Sequence, residues 1–209
     1  MKIAVLAAME MEAAPLIRRM EHTSVDQRFL RGSIGKADAV LYRCGVGMRK
    51  AAGGARALIA YAQPDVLILY GISGGLVPDI QLHETVIGTS SFHKEHMEMT
   101  DKALADVAAR VLPAARTAPL ACARTVIIRK NRKTRLAKSG AVCVDMESFA
   151  VANASREAMV PLLVIRCISD TFRPASLLGF NNGKIAAEKA ALAAEAVIKA
   201  LANERTAYE

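Results

Sequence analysis

The sequence predicts a single-domain α/β protein in which helices cover both faces of a mixed, largely parallel sheet, giving three layers. Segments of strand length alternate with helical patterns along all 209 residues, and no linker or internal repeat divides them. The strand segments are continuously apolar, which is typical of parallel strands buried on both faces. A chain of this length can bury one substantial core, so residues 1–209 are expected to form one domain.

Four strands are predicted in the first half of the chain, at residues 2–9, 37–44, 66–70 and 85–91. A helical pattern follows the first strand at residues 10–20, and an alanine-rich helix follows the second at residues 49–62. Glycine-rich turns follow the second and third strands, Gly45-Val46-Gly47 and Gly71-Ile72-Ser73-Gly74-Gly75. Such turns either let the backbone approach a ligand closely or only reverse the chain.

The second half is predicted to alternate in the same way. Residues 121–128 and 162–168 have the composition of strands, and the predicted helices are residues 102–111, 146–159 and 184–203. In the VDMES stretch, residues 144–148, a strand is expected to end and a helix to begin.

Composition argues against a membrane span, because no apolar run reaches the roughly 18 residues that a helix needs to cross a bilayer. The opening MKIAVLAAMEMEAAP has one lysine and a short apolar run, but Glu10 and Glu12 end it and no small-residue cleavage site follows. A buried first strand is therefore favoured over a signal peptide.

The four cysteines form no CxxC pair and no zinc spacing, which indicates free thiols in a reducing cytoplasm.

The net charge of +8 requires a nucleic-acid-binding function to be considered. The densest basic run is residues 129–135, and no aromatic residue is interleaved there to stack on bases. A solvated helix face or loop is the favoured interpretation of this run, and an anionic small substrate is another explanation of the charge. His93 and His96 lack HExxH spacing and a third ligand nearby, so neither a metal nor another cofactor is predicted.

Polar and glycine residues recur at the predicted carboxyl ends of the strands, where α/β sheets bind ligands. Glu12 follows the first strand, the two glycine turns follow the next two, and Ser169-Asp170 follows the last. Taken singly, each feature has a structural interpretation: Glu12 suits the first turn of a helix, and Asp170 suits an N-cap. Their joint placement at one sheet edge indicates a site.

The chemistry that suits this set is cleavage of a glycosidic bond, which needs an acid at the leaving group and a base for the nucleophile. A purine leaves more easily once a ring nitrogen is protonated by a carboxylic acid. A second carboxylate activates water, and a third holds ribose hydroxyls through charge-assisted hydrogen bonds. Glu12, Glu147 and Asp170 would supply the three carboxylates, and Asp170 is expected to be buried at the end of its apolar strand.

These stretches together resemble the methylthioadenosine/S-adenosylhomocysteine nucleosidase branch of the purine and uridine phosphorylase superfamily. MKIAVLAAMEMEAAPL resembles the opening strand and catalytic glutamate of that family, and GVGMRKAAGGARAL resembles its Gly-x-Gly helix start. PDVLILYGISGGL is similar to its central strand and glycine loop, VDMES to its Met-Glu ribose motif, and VIRCISD to its acid-bearing strand. The similarity covers residues 1–90 and 140–175 and implies a nucleoside phosphorylase-like fold.

The resemblance implies a role for each matching position. Glu12 would activate water, Glu147 would bind the ribose hydroxyls and Asp170 would protonate the base, whereas Asp145 is expected to cap the helix. The other substrate-binding residues that it implies are Ile72, Ser73, Gly74, Ile128, Met146 and Ser169. The implied partner is a small nucleoside, and a homodimer or larger homo-oligomer is expected because a neighbouring subunit often completes the pocket in this superfamily.

The resemblance leaves the substrate open. Residues 125–129 contain no aromatic residue, although the nucleosidases usually place a base-stacking ring ahead of the Met-Glu motif. The stretches YGISGGL and VDMES, together with residues 173–177, look closer to the hopanoid-associated phosphorylases, which act on a large lipid-linked adenosine. A 5′-modified adenosine, with release of adenine, is the favoured substrate, and a hopanoid-linked adenosine is the alternative.

The nucleophile is also open between water and phosphate. The Gly-Asp-Pro-x-Arg loop of the superfamily's phosphorylases is missing after the first strand, and Glu12 stands there instead. A carboxylate beside the nucleophile would repel phosphate, which favours hydrolysis. Arg43 and Arg49 flank the first glycine turn and are possible phosphate ligands, so phosphorolysis is the alternative.

Overall fold

The fold is given by a computed structural model, which describes residues 1–172 and 179–206. The strands are β1 (Lys2–Ala7), β2 (Glu21–Asp26), β3 (Phe29–Ile34), β4 (Ala37–Arg43), β5 (Val66–Gly75), β6 (Thr85–His93), β7 (His96–Met99), β8 (Arg116–Cys122), β9 (Cys143–Asp145) and β10 (Leu162–Asp170). The helices are α1 (Glu10–Ile17), α2 (Met48–Ala62), α3 (Lys102–Val111), α4 (Lys130–Ala137), α5 (Ser148–Glu157) and α6 (Gly179–Thr206). Residues 173–177, which resemble the hopanoid-associated phosphorylases, lie outside the described residues.

One mixed sheet contains all ten strands, in the order β10-β6-β8-β9-β5-β1-β4-β3-β2, with β7 paired to β6. β1 runs parallel to β4 and β5, and β5 runs parallel to β10. The three strands predicted to be central, β1, β5 and β10, are therefore neighbours in one sheet, as predicted. Because β10 pairs with both β5 and β6, the strands β10, β6, β8, β9 and β5 close into a ring.

Most positions of the central strands are apolar because both faces of the sheet are covered by helices. In β1, Ile3 and Val5 belong to a core cluster with α1, α3 and α6, whereas Ala4 and Leu6 belong to a cluster with α2 and α5. α2 meets the sheet through small residues and one leucine on a single helical face: Ala51, Gly54, Ala55 and Leu58. The three-layer arrangement predicted from the apolar strands is thus confirmed.

Several boundaries differ from the prediction. β5 extends to Gly75, so the glycine segment after Tyr70 is the end of a strand rather than a turn. β8 ends at Cys122, and residues 123–129 form no strand. The hairpin of β2 and β3 was not predicted, because every residue of β2 is exposed and the strand therefore carries no apolar signal. Within the part of the chain that is described, no helix is long and apolar enough to cross a membrane.

Candidate active site

Most of the predicted site residues converge on one cavity of about 250 Å³ where β5, β9 and β10 end. This volume is slightly below the roughly 300–1,000 Å³ typical of ligand pockets. Eight predicted residues line the cavity: Glu12, Ile72, Ser73, Gly74, Met146, Glu147, Ser169 and Asp170. Val46, Ile127 and Val144 add apolar wall, and no aromatic side chain is among the described lining residues.

Glu12 lies in the first turn of α1, and its carboxylate is held from two elements. Oε2 accepts the backbone N–H groups of Ala8 at 3.0 Å and Met9 at 2.8 Å, while Oε1 accepts the N–H of Ile72 on β5 at 2.8 Å. Burial raises the pKa of the Glu12 carboxyl, although the Arg166 charge and these three hydrogen bonds act to lower it. Glu12 therefore caps its own helix, as its structural interpretation predicts, and also lines the cavity.

Gly71 is the position at which β5 passes closest to Glu12. A β-carbon at Gly71 would lie 2.2 Å from Glu12 Oε1 and 2.8 Å from Arg166 Nη1, which are distances that no side chain tolerates. Only glycine leaves room for both groups at this point of the strand. The carboxylate of Glu12 and the guanidinium of Arg166 therefore approach the same side of Gly71.

Arg166, in the middle of β10, is a site residue that was not predicted. It is fully buried; its Nε donates to Asp145 Oδ2 at 2.8 Å, and its Nη2 lies 3.7 Å from Glu147 Oε2. Burial acts to lower the pKa of Arg166, but the charges of Asp145, Glu147 and Glu12 outweigh it and raise the pKa. Nη1 makes no hydrogen bond within the described residues, which leaves a buried donor beside Glu12.

Asp145 joins Arg166 to the start of α5. Its Oδ1 accepts hydrogen bonds from Ser148 Oγ at 2.7 Å and from the Ser148 backbone N–H at 3.2 Å, and its Oδ2 faces Arg166. The expected capping role of Asp145 agrees with these contacts. The same carboxylate is also the main countercharge of the buried arginine, a role that was not predicted.

Glu147 links the VDMES segment to the first glycine turn. Its Oε1 accepts the backbone N–H of Gly47 at 2.8 Å, where Gly47 has a φ of 101° that side-chain-bearing residues rarely adopt. Burial raises the pKa of the Glu147 carboxyl and the Asp145 charge adds to this, while Arg166 opposes both. The glycine turn therefore fixes a buried carboxylate at the edge of the cavity.

Asp170 differs from its prediction. Its side chain is 35% exposed rather than buried, and its Oδ1 is in direct contact with the Lys133 ammonium of α4. Among the described residues, no backbone N–H group donates to the Asp170 carboxylate. Neighbouring Ser169 donates its hydroxyl to the Ser73 carbonyl oxygen at 3.2 Å, which ties the end of β10 to β5.

Three predicted residues lie outside the described lining of this cavity. Ile128 is 68% exposed, and Ile127 lines the cavity in its place, because residues 123–129 are irregular and do not follow the alternation of a strand. Arg43 forms an exposed ion pair with Glu10 at 2.8 Å. Arg49 lines an adjoining cavity that shares Val46 with the first.

The basic run at residues 129–135 falls largely on α4, as one of its interpretations predicts. Its members are exposed except for Lys133, which is 2% exposed and turns toward Asp170.

His93 Nδ1 lies 2.9 Å from the Cys122 carbonyl oxygen, and the described residues include no group of three or more His, Cys, Asp or Glu side chains that could hold a metal ion. All four cysteines are free, and burial raises the pKa of the Cys44 thiol to about 12.

Residues 2–203 match a family model described as the phosphorylase superfamily. The chain belongs to the phosphorylase superfamily. It is accordingly an enzyme, and its fold is that of the superfamily.

Solved structures of other proteins have the same fold as this chain. The 5′-methylthioadenosine/S-adenosylhomocysteine nucleosidase from S. pneumoniae, with a transition-state inhibitor, is 23% identical, with a TM-score of 0.89 over 96% of this chain and 100% of that one. The corresponding nucleosidase from Colwellia psychrerythraea, in complex with adenine, is 20% identical, with a TM-score of 0.90 over 96% of both chains. Futalosine hydrolase of Helicobacter pylori is 19% identical, with a TM-score of 0.85 over 94% of this chain and 97% of that one.

Proposed function

We propose that this enzyme hydrolyses the N-glycosidic bond of a purine nucleoside, a 5′-modified adenosine, and releases adenine. The observation that carries the proposal is the approach of two buried groups at Gly71: the Glu12 carboxylate and the Nη1 donor of Arg166. A carboxylate accepts protons and hydrogen bonds, and a guanidinium only donates them. A water molecule held between the two would be oriented by Arg166 and deprotonated by Glu12.

The raised pKa of Glu12 supports its role as the general base. Burial moves the pKa upward from the ordinary value of a glutamate side chain, toward the neutral range in which a base takes a proton most effectively. The three backbone hydrogen bonds hold the carboxylate in one orientation, so little reorganisation is needed at the moment of reaction.

Glu147 and Asp170 would bind the two halves of the substrate. Glu147 lines the cavity and is oriented by the Gly47 N–H group, which suits a carboxylate that accepts hydrogen bonds from ribose hydroxyls. Asp170 lines the cavity at the end of β10 and would lie at the purine, where the departing base requires a proton. Apolar contacts from Met146 and Ile127 would replace the missing aromatic ring.

Local charge favours water over phosphate. Three carboxylates surround Arg166, namely Asp145, Glu147 and Glu12, so the buried cluster carries a negative excess that would repel a phosphate ion. Phosphorolysis is the second candidate because Arg49 lines the adjoining cavity together with Gly47. Arg43, the other possible phosphate ligand, is already paired with Glu10.

The names of the structural neighbours agree with this proposal, since they include nucleosidases of 5′-modified adenosines and a futalosine hydrolase. The test is to incubate the purified protein with adenosine, 5′-methylthioadenosine, S-adenosylhomocysteine and futalosine, each with and without inorganic phosphate. Chromatography would identify the released base, and mass spectrometry would identify the sugar.

A free sugar formed at the same rate with and without phosphate is the expected result. A sugar 1-phosphate that appears only when phosphate is present would move the assignment to phosphorolysis. Absence of base release from all four nucleosides would contradict the proposal.

A further inference from the structure

We infer that Lys133 is the source of the proton that the departing purine receives, and that it acts through Asp170 as a positioning residue. The inference rests on the proposed function. Lys133 lies on α4, and it is the only described residue of that helix that is buried, with 2% of its surface exposed.

The Lys133 ammonium is bound at the end of β10 by two oxygen atoms. Its Nζ donates to Asp170 Oδ1 and, at 2.7 Å, to the Thr171 carbonyl oxygen. The side chain is 3% exposed, and Lys133 is not among the described residues that line the cavity. Lys133 therefore stands behind Asp170 and reaches a bound purine only through that carboxylate.

Both carboxylate oxygens of Asp170 lie beside Gly74, where a β-carbon would come within 2.8 Å of Oδ2 and 3.3 Å of Oδ1. Oδ1 also contacts the Lys133 ammonium. Gly74 and Asp170 both line the cavity. One carboxylate thus contacts an ammonium on one side and the cavity on the other.

The contact between Lys133 and Asp170 indicates which group can supply a proton to the purine. A carboxylate that is ion-paired with an ammonium accepts hydrogen bonds and has no proton of its own to give. Among the described residues, the donor in contact with the Asp170 carboxylate is the Lys133 ammonium. Burying an ion pair is energetically costly, and its replacement by well-packed apolar residues of similar size is often neutral or stabilising.

The transfer has two proton steps that balance. One Nζ–H bond of Lys133 breaks and its proton passes to Asp170, leaving a neutral amine and a neutral carboxyl group. The carboxyl group then gives a proton to a purine ring nitrogen as the electron pair of the glycosidic bond moves onto the base. After release of the product, the Lys133 amine takes a proton from water, while Glu12 returns to solvent the proton that it took from the attacking water.

Two substitutions separate proton supply from charge and shape. Lys133→Arg keeps the positive charge but cannot release a proton, since guanidinium is always protonated in proteins. Lys133→Met keeps the length of the side chain and removes the charge. Lys138→Met, at the exposed end of α4, is the matched control.

The turnover of each variant is measured with 5′-methylthioadenosine and with p-nitrophenyl β-D-ribofuranoside, whose leaving group departs without protonation. With the purine nucleoside, we expect the turnover of both Lys133 variants to fall by about 10²–10⁴-fold, the range for a lost general acid. With the p-nitrophenyl riboside, we expect their turnover to stay within about threefold of that of the wild type. Ethylamine added to Lys133→Ala is expected to restore turnover in proportion to its concentration, and guanidinium ion is not.

Near-normal turnover of Lys133→Arg would show that only the charge matters and would overturn the inference. Equal losses on both substrates, or rescue by guanidinium as well as by ethylamine, would show a structural role and would overturn it too. An inactive wild type would reject the proposed function itself, whereas active wild type with active Lys133 variants would reject only the role of Lys133.

Discussion

Arg166 donates its Nε–H to Asp145 Oδ2 at 2.8 Å, and the two side chains are 0% and 1% exposed. This pair is the centre of a charge cluster that also includes Glu12 and Glu147, directly beneath the candidate active site. Because the guanidinium is the countercharge of all three carboxylates, their burial depends on it.

Arg166→Met is expected to destabilise the fold strongly. Removing the cation leaves Asp145 buried without its countercharge, which typically costs about 3–5 kcal/mol. The matched control is Arg156→Met, whose partner Glu98 forms an exposed ion pair worth at most about 1 kcal/mol. Urea unfolding of both variants measures the difference, and a loss for Arg166→Met as small as that of the control would contradict the role assigned to the cluster.

Glu12→Gln is expected to reduce turnover by about 10²–10⁴-fold, because the amide cannot take a proton from water. Glu10→Gln, in the same helical turn but exposed and paired with Arg43, should leave turnover unchanged.

The pH profile checks the same assignment. A base works in its ionised form, so wild-type kcat/KM should rise with pH through the pKa of Glu12, which burial places above the ordinary value of a glutamate side chain. If the fall of kcat/KM at low pH has its midpoint at or below 4.5, the ordinary pKa of glutamate, another residue is the base. The same conclusion follows if this fall persists in Glu12→Gln.

Glu147→Gln is expected to weaken the binding of nucleosides more than the binding of free adenine. The substitution keeps the shape but removes charge-assisted hydrogen bonds to ribose, each worth about 1.5–3 kcal/mol. Calorimetric titration with an uncleaved adenosine analogue and with adenine measures both affinities. Glu157→Gln, at the exposed far end of α5, is the control, and equal losses for the two ligands would mark Glu147 as structural.

Gly71→Ala is expected to abolish activity, because its β-carbon would displace Glu12 Oε1 or Arg166 Nη1. Gly53→Ala is the matched control: its β-carbon would meet nothing within 4 Å, and alanine in a helix stabilises by about 0.5–1 kcal/mol. Turnover should therefore be lost in Gly71→Ala and unchanged in Gly53→Ala, whose melting temperature should rise slightly. A fully active Gly71→Ala would refute the proposed placement of the nucleophile.

Asp170→Asn is expected to bind substrate almost normally and to turn it over about 10²–10⁴-fold more slowly, since an amide cannot pass on a proton. A structural role predicts the reverse, a lower melting temperature with unchanged turnover per folded molecule. Both quantities are to be measured on one preparation, and retained turnover would end the assignment of Asp170.

The apolar strands and the convergence of residues at their ends were predictable from sequence because each depends on local pattern. Arg166 and Lys133 were missed for the opposite reason, since their partners lie 21 and 37 residues away along the chain. A charge inside an apolar strand such as VIRCISD was the available signal for Arg166. For Lys133 no such signal existed, because a lysine in a basic run is normally solvated.

The closing strand of the ring, β10, is the last strand among the described residues, and it inserts between β5 and β6. During synthesis, which proceeds from the N-terminus, the ring therefore stays open until residues 162–170 have left the ribosome. Before that moment Glu12, Asp145 and Glu147 have no Arg166 to neutralise them, so their carboxylates remain in water. Ring closure and the appearance of a working active site are consequently one late event in the biosynthesis of this enzyme.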